Sequence, residues 1–264
     1  MAVTSSDSAI ECPWKIHGIS HVSASSLNKA VATLPAWALS YLYKIKEPLN
    51  PAMARGIASE DGVAEGVRDH RRQIEDCVKL ALAKFDRMMA MSPNSDDKKQ
   101  TERRRIEGTV TAAIIELRKY GTPTFPDGGQ HKISIDLDGV SVPAIGYLDF
   151  YYPNHGLIID LKTVGRATSA ISAAHARQGA IYAAAHANHE IRFAYASPKA
   201  TVVLRQEDVP ERLNEVTIIA QRLQRWLSQS PDRDVLASTL IPDYSSFYWS
   251  SPIMRAAGKD VFGI

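Results

Sequence analysis

An uninterrupted aliphatic run, Leu157-Ile158-Ile159, marks a strand covered on both faces, yet it leads directly into Asp160-Leu161-Lys162. Side chains two apart on a strand share a face, so Asp160 and Lys162 point together and Leu161 points away. Upstream, the apolar stretch Ala144 to Tyr152 carries Asp149 between Leu148 and Phe150, and the turn-forming Pro153-Asn154-His155-Gly156 joins the two runs. That pattern predicts consecutive strands of a hairpin, each with an acid in a place that disfavours charge. A partly buried ion costs several kcal/mol unless something compensates it. One lysine does not neutralise two neighbouring carboxylates, whose repulsion pushes a proton onto one of them. A hard divalent cation such as Mg²⁺ resolves the imbalance, because it takes carboxylate, carbonyl and water oxygens.

The remaining sequence is consistent with a chain built around that hairpin. At 264 residues and 45% hydrophobic content it supports a sizeable core, and its net charge of +2 means that binding to nucleic acid has to come from local basic patches. Cys12 and Cys77 form neither a metal-ligand spacing nor a disulfide framework, no apolar segment approaches the ~20 residues of a membrane span, and the N-terminus lacks a signal-peptide pattern. The expectation is a soluble protein of the reducing cytoplasm, with no membrane partner.

In chain order, residues Met1 to His21 are weakly patterned, the segment Ser23 to Asn28 offers caps for a first helix over Lys29 to Thr33, and Pro35 starts a second one ending at Tyr43. Trp37, Tyr41 and Tyr43 read as packing residues. A long helical region follows from Ala52 to Met91, broken once, with Ala58, Gly62 and Gly66 recurring every four positions so that the helix can approach a neighbour closely. Ser95 caps a helix from Asp96 to Tyr120 whose basic run, Lys98, Lys99, Arg103, Arg104 and Arg105, is either a solvated face or a phosphate contact. The Pro- and Gly-rich stretch Tyr120 to Gln130 is a mobile connection. His131 to Asp138 is a strand that pairs with Ala144 to Tyr152 across the turn at Asp138-Gly139.

An alanine-rich helix from Thr168 to Asn188 places His175, Gln178 and Tyr182 on one face. His186 and His189 imitate a metal pair, although imidazoles at a helix C-terminus are also favoured by its dipole. A hairpin of Ile191 to Ala196 and Thr201 to Arg205 precedes an amphipathic helix, Glu211 to Gln229, and the aromatic stretch Tyr244 to Trp249 packs on the core, stacks on bases or meets another subunit. The predicted class is mixed α/β: a central mixed sheet flanked by helices, with a helical N-terminal part over about 24–120, a sheet-and-helix core over about 130–230 and an aromatic tail over 240–264, all in one domain.

The order Gly146-x-x-Asp149, then Asp160-x-Lys162 after an apolar strand, then Gln178-x-x-x-Tyr182 on a helix resembles the PD-(D/E)XK nucleases of the RecB and phage-exonuclease (lambda-exonuclease-like) type. The resemblance implies a restriction-endonuclease-like core and an Mg²⁺- or Mn²⁺-dependent deoxyribonuclease. Asp149, Asp160 and the Leu161 backbone carbonyl would hold the metal, Lys162 would orient or deprotonate the attacking water, and Gln178 and Tyr182, with His175 and Arg55, would bind DNA. The early Arg55-Gly-x-x-x-Glu60 falls on an element that supplies a further ligand in these families, so Glu60 is either that ligand or one more solvated helix charge. Several relatives carry an iron-sulfur cysteine just before the helix-starting proline; Leu34 stands there, so no iron-sulfur cluster is expected.

The same helix element favours an exonuclease that processes DNA ends in recombination and repair. An endonuclease of the same fold, a catalytically silent DNA-binding or assembly module and a small-phosphoester hydrolase are the alternatives. The resemblance further implies the cytoplasm of a bacterial or phage-infected host cell, a single-strand annealing or recombination protein as a partner, and a homo-oligomer.

Overall fold

A computed structural model of the chain describes residues 12–125, 130–166 and 168–263. Their elements are α1 (Pro13–Ile16), β1 (Val22–Ser23), α2 (Ala24–Ala32), α3 (Leu34–Tyr41), α4 (Pro51–Arg68), α5 (Ile74–Met89), α6 (Asp96–Leu117), β2 (His131–Ile135), β3 (Ala144–Leu148), β4 (Phe150–Tyr152), β5 (Leu157–Thr163), α7 (Ala173–Ala185), β6 (Glu190–Ala196), β7 (Thr201–Arg205), α8 (Val209–Leu227), α9 (Arg233–Ala237) and α10 (Pro252–Phe262). The chain has the mixed α/β composition read from its sequence. It packs as two compact units, so the helical portion expected over 24–120 is divided. One unit takes the described residues up to Glu47, Asp136–Ala144 and those from Val216; the other takes Pro48–Ile135 and Ile145–Glu215.

The first unit is held by indoles. Ser23 caps α2 by accepting from the Ser26 N–H, and Ser26 returns the bond to the Ser23 N–H, so the helix starts earlier than the Lys29 expected. Thr33 caps α3, which carries Trp37 into the core at edge-on angles to Trp14 and Trp226, with Tyr41 stacked on it at 5.0 Å. Trp249 of the C-terminal aromatic stretch is buried among Ala36, Leu39 and Met254, whereas Phe247 from the same stretch is exposed.

The second unit contains the hairpin that carries Asp160 and Lys162. β4 and β5 pair antiparallel, with Phe150 opposite Ile159; β5 and β6 pair parallel, with Asp160 opposite Phe193 and Lys162 opposite Tyr195; β6 and β7 close the four-stranded sheet antiparallel. β2 and β3 are neighbours in a second sheet. The side chains of Phe150, Tyr152, Leu157, Ile159, Leu161, Ala194 and Ala196 form one face of the β4–β7 sheet and pack against α4, α5 and α6. The strand period of two therefore sends Asp160 and Lys162 to the opposite face, as the sequence spacing requires.

The helical region divides between Arg68 and Ile74, the single break expected within Ala52 to Met91. The small residues of α4 have the use their spacing implied. A Cβ on Gly62 would stand 2.8 Å from the Cys77 carbonyl oxygen, and one on Gly66 would stand 2.5 Å from Ile114 Cδ1, so only glycine lets α4 lie this close to α5 and α6. The strand expected from Ala144 to Tyr152 is two strands interrupted at Asp149, and the one from His131 ends at Ile135. In the connection from Tyr120 to Gln130, the Thr124 N–H donates to the Tyr151 carbonyl at 2.7 Å; residues 126–129 lie outside the described set.

Candidate functional site

Asp149 occupies the break between β3 and β4, where its side chain takes over a ladder bond. The Leu161 N–H donates to Asp149 Oδ2 at 2.8 Å, so a carboxylate oxygen stands where a neighbouring strand would have offered a carbonyl. The N–H and C=O of one strand residue leave on the same edge, which turns the Leu161 carbonyl toward Asp149 as well. Two residues of β5 thus bound the site in different ways: Leu161 through its backbone, Asp160 through its side chain.

Asp160 is 1% exposed. Its Oδ2 lies 2.6 Å from Lys162 Nζ as an ion pair, and neither carboxylate oxygen has a hydrogen bond of regular geometry among the described residues. Lys162 also donates to Gln178 Oε1 at 2.8 Å; Gln178 Nε2 donates to the Tyr182 hydroxyl at 2.5 Å; and that hydroxyl donates to the Tyr147 carbonyl at 2.8 Å. A continuous line of hydrogen bonds therefore runs from the β5 lysine through α7 to β3. Gly146 is part of the same device: a Cβ there would stand 2.8 Å from Tyr182 Cε1, so glycine makes room for the ring to lie against β3. Two of the short motifs are one packing unit.

Glu60 comes to the same place from α4. Its Oε1 accepts from Gln130 Nε2 at 2.5 Å, and the same nitrogen donates to Asp149 Oδ1 at 3.1 Å. Burial, then the charge of Asp160, then that of Asp61, push the Glu60 carboxyl up to about 7. Burial, Asp160 and Glu60 raise that of Asp149 well above the usual carboxylate range. At Lys162 burial works against the charge, but Asp160 and Asp149 overcome it and hold the ammonium above its ordinary pKa. The residues form an electrostatically incomplete cluster: three acids around one lysine, with a buried carboxylate oxygen unbonded.

That set suits a hard cation. It offers carboxylate oxygens, a facing backbone carbonyl and excess negative charge, with water left to complete the shell. Among the described residues no three His, Cys, Asp or Glu side chains stand ready-grouped as a metal cage; between Glu60 and Asp149 lies the Gln130 amide.

The other residues singled out in the sequence do different work. Arg55 is 6% exposed; it donates to Glu102 Oε2 at 2.6 Å and to the Thr163 carbonyl at 3.2 Å, tying α4 to α6 and to the end of β5. In this geometry it is an internal clamp, which differs from the DNA contact expected. Tyr182, 3% exposed with its hydroxyl engaged, braces Gln178 and does not present a free clamp. His175 is stacked near Phe193 and its Nδ1 meets the Tyr195 hydroxyl at 2.8 Å; burial, followed by the charge of Lys162, brings its pKa down to about 4, so it is neutral at physiological pH.

His186 and His189 pack with His131 and Tyr151, the His186 ring centroid 5.3 Å from each histidine and 4.8 Å from the tyrosine. In the basic run, Arg103 grips Asp86 with two bonds of 2.7 and 2.8 Å, Arg105 pairs with Glu102 at 2.7 Å and Lys99 with Asp96 at 3.5 Å; the face is largely internally neutralised. Sequence reading missed Gln130, Glu102 and Tyr195. Of these only Tyr195 carried a signal, its alternation with Phe193 on a strand beside Lys162. No helix among the described residues is long and apolar enough to cross a membrane. Comparison with protein-family models finds no match for this chain, and comparison with curated proteins finds none either.

Proposed function

We propose that the protein is a divalent-cation-dependent deoxyribonuclease with a PD-(D/E)XK-type core, hydrolysing phosphodiester bonds and acting from DNA ends. The observation that carries this reading is the convergence of Glu60, Asp149 and Asp160 on Lys162, with Lys162 wired through Gln178 to Tyr182. Glu60, Asp149, Asp160 and the Leu161 carbonyl would hold Mg²⁺ or Mn²⁺. When bound, the cation supplies charge neutralisation at the phosphoryl oxygen and a lowered pKa for water.

The protein's own groups supply orientation. Lys162, held above its ordinary pKa by its acidic neighbours in the cation-free protein, would donate hydrogen bonds to the incoming water or to the phosphate. Gln178 fixes the direction of the ammonium, and Tyr182 fixes Gln178. No side chain needs to become covalently attached to the substrate. The preference for DNA ends rests on Glu60 arriving from a helix that carries Arg55-Gly-x-x-x-Glu60, as in the phage exonucleases that the sequence resembles.

The test is digestion of linear and of closed circular duplex DNA with Mg²⁺, the linear form labelled at its 5′ or 3′ end. Loss of label or length from linear DNA alone is the expected result, with polarity read from which label goes first. Cleavage of the circle instead identifies an endonuclease. Asp160→Asn should lower cleavage at least about a hundredfold while leaving DNA binding in place. Full activity in that variant, or in EDTA, contradicts the reading. Binding without any cleavage by the wild type points to a silent DNA-binding module.

A further inference from the structure

Gln130, immediately before β2, is an exposed residue whose amide is engaged inside the acidic cluster. One nitrogen, Nε2, reaches Glu60 Oε1 at 2.5 Å and Asp149 Oδ1 at 3.1 Å. An amide NH₂ carries two hydrogens, so this single group can serve both carboxylates at once. The two acids come from elements remote in sequence, α4 and the break between β3 and β4, and like charges so placed repel. The Gln130 amide is a donor shared by both.

A donor that bridges two carboxylates performs the electrostatic task of a hard cation, and it uses the same oxygen lone pairs. A cation seated between the same two oxygens, Glu60 Oε1 and Asp149 Oδ1, takes the space that the amide fills. Gln130 belongs to the exposed residues, so returning its side chain to water gives up little burial.

We propose that Gln130 is a placeholder for the divalent cation: it holds Glu60 and Asp149 together in the cation-free protein, competes with the cation for their oxygens, and is displaced when the cation binds. The proposal rests on the cation-site reading above. It assigns a positioning role to a residue outside the motifs, and it makes the side chain at position 130 a determinant of the cation concentration at which the site fills.

The test uses the full chain and Mn²⁺ alone, with binding followed by calorimetry and by the paramagnetic resonance of free Mn²⁺. Gln130→Ala removes the competitor, and Gln130→Met removes the hydrogen bonds while keeping the length of the side chain. Both should bind Mn²⁺ about fivefold to tenfold more tightly than the wild type, in keeping with loss of charge-assisted bonds partly exposed to water. Unchanged or weaker binding in both variants, with circular dichroism showing them folded, overturns the proposal.

A second readout needs no variant. The side-chain amide resonances of Gln130 should move toward those of a solvated glutamine when diamagnetic Mg²⁺ is added, and resonances that stay in place overturn the proposal. The underlying reading fails separately: a wild type that binds no Mn²⁺, or an Asp160→Asn variant that binds it as well as the wild type, removes the cation site itself.

Discussion

Lys162 is decided by its neighbours. A lysine on a covered strand would ordinarily lose its proton more easily, yet two carboxylates reverse that tendency, and a glutamine and a tyrosine then fix where the charge points. Tyr182→Phe tests the fixing. It removes one buried hydroxyl and its bond to Tyr147, an interaction of about 1 kcal/mol, and should lower kcat roughly fivefold while KM for DNA changes little. A rise in KM at constant kcat would instead make Tyr182 a DNA contact. At this scale the sequence was informative about identity and less so about role. Spacing put Asp160 with Lys162 on one strand face and Gln178 with Tyr182 on one helix face, and only the resemblance to the nucleases joined the two pairs; the depth of Tyr182 and the engagement of Arg55 follow from tertiary packing that no local pattern carries. Gln130 was invisible because a lone glutamine in a loop has no periodicity to mark it.

Among the elements, α4 does two things with two faces. Its glycines seat it against α5 and α6, and that seating delivers Glu60 to the strand acids. Arg55 locks the arrangement, so Arg55→Ala, which leaves Glu102 with Arg105 alone and removes the bond to the Thr163 carbonyl, should destabilise the protein by about 2 kcal/mol in urea unfolding. A change below about 0.5 kcal/mol would show that the clamp is not needed. The contact between β3 and α7 is as tight. Gly146→Ala puts a methyl against the Tyr182 ring and should cost about 1–3 kcal/mol, together with activity, because the ring that must move carries the hydroxyl that orders Gln178. Strand and helix order was legible because apolar periodicity and turn residues are local signals. The interruption at Asp149 was not, since the run from Ala144 to Tyr152 is apolar on both sides of it and only the side-chain bond to Leu161 explains the break.

For the whole molecule, the acidic cluster links stability to pH. The Glu60 carboxyl has a pKa near 7 in the folded chain, against an ordinary value of 4.5 for the unfolded one. Between those values the folded state binds more protons, so the contribution of Glu60 to stability in EDTA should fall as pH rises from about 4.5 to 7. Asp149, raised for the same reasons, adds to the fall. A divalent cation should reverse it, with a thermal shift that grows across the same window as protons stop competing for the site. Thermal unfolding at several pH values, with EDTA and with Mn²⁺, checks this; a melting temperature that rises with pH in EDTA contradicts it. The net charge of +2, together with the pairing of Lys99, Arg103 and Arg105 to Asp96, Asp86 and Glu102, means that attraction to DNA is not a property of the molecule at large.

The bond between the Leu161 N–H and Asp149 gives the protein a built-in spectroscopic probe. An amide proton donated at 2.8 Å to a carboxylate should resonate downfield of its strand neighbours and exchange slowly with solvent. Protonation of Asp149, or capture of its oxygens by a cation, alters the acceptor without breaking the chain around it. One cross-peak in a proton–nitrogen correlation spectrum therefore follows both titrations in solution, in a protein to which no substrate has been added.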